Sequence, residues 1–63
     1  MGNPIINLYD EMKAEYKSSV EDMEKFCEGN NSAGTRVRKT MQNIKNLCQE
    51  VRIQVQDQKN KKF

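Results

Sequence analysis

The sequence contains no histidine and no tryptophan. Lack of His removes the commonest general base and the commonest metal ligand. Only two cysteines occur, Cys27 and Cys48, and they lack the clustering of a zinc or redox motif. Both are expected to be small apolar fillers in a reduced compartment. Proline occurs once, at Pro4, and hydrophobic residues make up 35% of the chain. No run is apolar and long enough to span a bilayer. Met1–Leu8 is too short, and lacks the basic start, for a targeting leader. These absences point to a soluble, cytoplasmic, mostly helical protein with no cofactor, no metal, no small-molecule substrate and no membrane. Catalysis is not expected either. Paired acids such as Glu21 and Asp22 on a thin rod stay solvated, without the environment that general acid–base work requires.

What the chain does have is charge. Of its 63 residues 32% are charged, and the formal net charge is only +2. That sum conceals a polarity. Residues 1–31 hold seven acids and three bases, a net of −4; residues 32–63 hold eight bases and two acids, a net of +6. Such asymmetry between halves points to nucleic acid or to self-association between unlike surfaces.

Periodicity supplies the architecture. Asn3 and Pro4 suit an N-cap and a first helical position. Ile5, Tyr9, Met12, Tyr16, Ser19, Met23 and Phe26 then follow spacings of four and three. Gly29 is a natural C-cap, and Gly29-Asn30-Asn31-Ser32 is turn chemistry. Asn30, Asn31 or Ser32 can cap the next helix, with Asn30 preferred. Val37, Met41, Ile44, Cys48, Val51, Val55 and Gln58 repeat the four-three spacing. The reading is all-α: a single domain over 1–63, folded as an antiparallel two-helix coiled-coil hairpin. Helix one is expected over about 4–28, the turn over 29–32, helix two over about 33–58 and a fraying basic tail over 59–63. Folding the chain at residue 30 sets Phe26 against Ala33 or Gly34, Met23 against Val37, Tyr16 against Ile44, Met12 against Cys48 and Tyr9 against Val51. Cys27 and Cys48 are then about 22 Å apart along the rod, too far for a disulfide. Leu8, Val20, Cys27, Leu47 and Ile53 fall outside this seam. Their surplus apolar surface predicts a homodimer, with a four-helix bundle as its form.

Arg38, Lys45, Arg52 and Lys59 recur every seventh residue, which returns a helix to nearly the same face. In the antiparallel register the facing edge of helix one holds Ile6, Lys13, Val20 and Cys27, with no carboxylate. Glu15 and Asp22 lie on the other edge, beside Leu47 and Thr40. A partner-setting salt bridge across the seam therefore does not account for the row. Charge rows usually serve as solvated faces, but three features favour a polyanion. Arg36 and Lys39 crowd Arg38 in the first turns of helix two. Cations there oppose the helix dipole, which costs stability, and residues that cost stability are more often kept for function. Lys59, Lys61 and Lys62 extend the positive field past the helix. Duplex DNA carries one charge per about 1.7 Å of axis, so a rod with spaced cations can meet several phosphates. No sequence-reading motif is present. Tyr9, Tyr16 and Phe26 are assigned to the seam, so base stacking is not expected.

The run Gly29-Asn30-Asn31-Ser32-Ala33-Gly34-Thr35-Arg36-Val37-Arg38-Lys39, continuing as MQNIKNLCQEVR, resembles the small bacterial histone H1-like proteins of the chlamydial histone-like family. The resemblance covers about half the chain. It implies a nucleoid-associated, DNA-binding helical protein, with Arg36, Arg38 and Lys39 among the binding cations. Asn31, Ser32 and Cys48 depart from the family pattern, as does the lack of a long Lys/Ala-rich tail; these departures bear on compaction strength more than on DNA contact. Residue pattern and resemblance together predict non-specific phosphate binding to double-stranded DNA by Arg36, Arg38, Lys39, Lys45, Arg52, Lys59, Lys61 and Lys62. Gly34, with Thr35, is either a site of close helix packing opposite Phe26 or a place where backbone approaches phosphate. The alternative function is a small coiled-coil protein–protein module or virion component, with the acidic helix docking a basic helix of another molecule.

Overall fold

The structure is a computed structural model that describes the backbone of residues 4–62 and the side chains of residues 5–60. It contains two helices, α1 (Pro4–Cys27) and α2 (Asn31–Lys62). They pack antiparallel as a hairpin with extents of 52 × 20 × 11 Å. The all-α hairpin expected from periodicity is thus the fold. Pro4 is the first helical residue, where its missing N–H costs nothing. The expected cap Asn3 lies outside the described residues, as do Phe63 and the side chains of Lys61 and Lys62. α2 begins two residues before the expected start and stays helical through Lys62, so the basic tail extends the rod as far as that residue.

The turn is tighter than four residues because two motifs overlap in it. Gly29 adopts φ +105°, a conformation that strains any residue with a Cβ. The Gly29 N–H donates to the Phe26 carbonyl at 2.9 Å and the Asn30 N–H to the Lys25 carbonyl at 3.0 Å. That pair of bonds is a Schellman cap, and it satisfies carbonyls that the end of α1 would otherwise orphan. Asn30 then starts α2, its Oδ1 accepting from the Ala33 N–H at 3.1 Å. The expected N-cap is the observed one.

The helices meet along a track different from the expected one. On α1, Ile5, Leu8, Met12, Glu15, Ser19 and Asp22 are shielded; on α2, Ala33, Gly34, Val37, Thr40, Ile44, Leu47, Val51, Gln54 and Gln58 are. Ile5, Met12 and Ser19, with Val37, Ile44, Val51 and Gln58, were expected there. Tyr9, Tyr16, Met23, Met41, Cys48 and Val55 were assigned to the seam and are instead exposed, Tyr9 at 59% and Tyr16 at 62%. Leu8 and Leu47, expected outside, are inside. Phe26 also keeps an exposed side, and Cys27 and Cys48 are free and exposed thiols rather than buried fillers.

Side-chain size accounts for the rotation. The best-buried residues are Ala33, with no exposure, and Ser19, at 5%. Small residues let two backbones approach, whereas tyrosine rings in the seam would hold the helices apart. The Ser19 hydroxyl donates back to the Tyr16 carbonyl at 2.7 Å, so its burial leaves no polar atom unsatisfied. Gly34 marks the closest approach. A Cβ placed on it would lie 2.6 and 2.8 Å from the Cδ1 and Cε1 of Phe26.

Candidate nucleic-acid interface

Helical geometry divides the cations of α2 among three directions. Arg38, Lys45, Arg52 and Lys59 are all exposed and lie in one line, with steps of about 10 Å. Among the described residues none of these four forms an ion pair or a hydrogen bond within the chain. Lys39 is exposed too, but one residue beyond Arg38 places it about 100° around the helix, outside the row. Arg36 falls on the opposite edge. Its Nε donates to Asp22 Oδ1 at 3.0 Å, with the Arg36 side chain 51% exposed and that of Asp22 21%. A pair so open to water contributes under about 1 kcal/mol, but it directs part of the guanidinium toward α1 and away from the row. The sequence-predicted cations are thus not one cluster: four share a line, one is engaged across the hairpin, and one points elsewhere. The side chains of Lys61 and Lys62 lie outside the described residues.

The start of α2 is also less electrostatically costly than expected. The helix begins at Asn31, so Arg36, Arg38 and Lys39 lie beyond the first turn, where the dipole acts most strongly. Thr35 and Arg38 border a cleft of about 300 Å³ with Met23, Phe26 and Val37. This places the first cation of the row beside apolar surface. At Gly34 the Phe26 ring occupies the space a side chain would take, which supplies a packing reason for glycine there.

On the other edge of the hairpin, Glu11, Glu15 and Glu50 line a polar groove with Asn43 and Leu47. The molecule therefore has a cationic border on one side and carboxylates on the other. This matches the sequence-level placement of Glu15 beside Leu47, away from the basic row.

A family model described as "Histone H1-like protein Hc1" matches residues 6–61. The chain belongs to this histone H1-like family. The match takes in nearly all of both helices and every cation of α2 through Lys61, whereas the resemblance read from residues alone covered about half the chain. No curated protein and no solved structure matches significantly. Among the described residues, no helix of this family member is long and apolar enough to cross a membrane.

Residue reasoning expects Val20 and Cys27 outside the seam, but misses that Tyr9, Tyr16, Met23 and Met41 join them in an exposed apolar face beside the cations. Tyr16, Val20 and Met23 of α1 and Val37 and Met41 of α2 line a groove of about 460 Å³. A signal was available in the sequence. The apolar stripe on α1 includes Tyr9, Tyr16, Val20, Met23 and Cys27 together with Ile5, Leu8 and Met12. That is too wide for one helix neighbour to cover.

Proposed function

We propose that the protein is a histone-like, nucleoid-associated DNA-binding protein that holds double-stranded DNA without sequence preference, through phosphate contacts. The observation that carries this reading is the line of four exposed cations, Arg38, Lys45, Arg52 and Lys59, without an internal partner among the described residues. Membership of a histone H1-like family supports the choice of DNA as the polyanion. Arg38, Lys45, Arg52 and Lys59 make the main phosphate contacts, and Lys39, Lys61 and Lys62 add to the field. Arg36 contributes through the donors that Asp22 leaves free. Catalysis has no part in this role. The working unit is a homodimer.

Fluorescence titration against random-sequence duplex at several salt concentrations tests the reading. The expected result is binding that weakens linearly in log–log form, with a slope of about −0.9 per phosphate neutralised. No binding at low salt sinks the DNA reading, and binding indifferent to salt sinks the phosphate mechanism.

A further inference from the structure

From the exposed face we infer that a second copy of this chain docks on the tyrosine side of the hairpin, each α2 lying over the partner's α1. This rests on the homodimer reading above and specifies its surface and arrangement.

The covered face is Tyr9, Tyr16, Val20 and Met23 on α1 with Met41 and Val55 on α2, all exposed in the single hairpin. Tyr16, Val20, Met23 and Met41 border one groove, so the face is continuous across both helices. Its extent suits a dimer. α1 has 24 residues and is about 36 Å long, and the hairpin is 20 Å wide. The paired face is therefore about 700 Å² per copy, close to the roughly 800 Å² per partner of a standard stable interface. On the opposite side Glu11, Glu15, Asn43 and Glu50 line a polar groove.

Charge selects the arrangement. α1 holds six acids and three bases, and α2 eight bases and two acids. Stacking α2 on its own twin would bring two rows of Arg38, Lys45 and Arg52 together, which like-charge repulsion opposes. Stacking α2 on the partner's α1 opposes helices of net +6 and −3 instead. A twofold axis along the rod achieves this with the same patch on both copies. It sets α1 and α2 at alternating corners of a four-helix bundle. The two cation rows then occupy opposite edges, and each remains open to a separate duplex.

Sedimentation of the full chain is expected to give twice 7.4 kDa at micromolar concentration. Val20→Glu and Met41→Glu should each weaken association at least tenfold while circular dichroism still reports helix. Ile53→Glu, at an exposed position well away from the groove, should leave the mass unchanged. A wild-type monomer at hundreds of micromolar overturns the proposal, as does equal loss of association in Ile53→Glu.

A second measurement reads protection rather than mass, at Cys48, which lies seven residues from both Met41 and Val55 on the same line of α2. In a Cys27→Ser background, labelling of Cys48 by a bulky maleimide should slow as protein concentration rises. Equal rates at all concentrations overturn the docking face. Added salt should loosen the dimer; a dimer that tightens with salt has basic helices facing each other, against the arrangement. The DNA titration is separate: a dimer that ignores DNA leaves this interface standing and removes the DNA reading, and a monomer that binds DNA does the reverse.

Discussion

Two glycines carry separate burdens in the hairpin. Gly29 holds φ +105° with open space around it, so its requirement is conformational. Gly29→Ala is expected to lower stability by about 1–2 kcal/mol, the cost of an L-residue in the left-handed region, in a urea melt monitored by circular dichroism. Gly34 is ordinary helix by φ, and its requirement is steric, set by the Phe26 ring. Gly34→Ala gains up to about 1 kcal/mol of helix propensity but overpacks the turn by about 1–3 kcal/mol. A net loss is expected. In a Phe26→Ala background the same substitution should become stabilising, and a double-mutant cycle of urea melts measures that change of sign. A phosphate-contact role for Gly34 would instead lower DNA affinity with unchanged melting.

Within each helix, periodicity narrowed the buried track to two choices without selecting one. Four-three spacing passes through Ile5, Met12 and Ser19 by way of either Tyr9 and Tyr16 or Leu8 and Glu15. Apolarity favoured the tyrosines. In the structure Leu8 and Glu15 lie in the track, with Glu15 beside Asn43 and Leu47, and Tyr9 and Tyr16 lie outside it; rings in so narrow a seam would hold the helices apart. Asp22 then reached Arg36, a pairing that the fold-back register made possible but that residue order alone did not show. The row on α2 was legible because seven-residue spacing does not depend on which track is buried. Arg38, Lys45 and Arg52 changed together to Gln should flatten the salt slope of DNA binding by about one unit per cation, with helix content unchanged. Asp22→Asn should alter stability by less than about 1 kcal/mol. It should also tighten DNA binding slightly, because one carboxylate is lost and Arg36 is freed to add to the positive field; affinity at fixed salt measures it.

A hairpin with Ala33 as its only fully covered apolar residue among those described has little core of its own. Chains of this size commonly complete their burial by association. Melting temperature is therefore expected to rise with protein concentration, as mass action requires when folding and assembly are linked. A scan over a hundredfold concentration range checks this, and a constant midpoint would assign stability to the single hairpin. The same geometry connects the two surfaces. The tyrosine face and the cation row adjoin along α2, since Lys45 follows Met41 by four residues and Arg52 follows Cys48 by four. Covering the first leaves the second on the rim of the assembly.

Helix number, the Gly29 stop, the Asn30 cap and the cation row were all set by residue identity and spacing, because each depends on neighbours within a few positions in the chain. Which side of each helix turned inward was not so set. That choice depended on how closely two backbones could approach, which the small Ser19, Ala33 and Gly34 permit only once they lie in the seam, with Phe26 packed on Gly34 across the hairpin. It moved the tyrosines outward and left beside the cations an apolar face that the chain does not cover by itself.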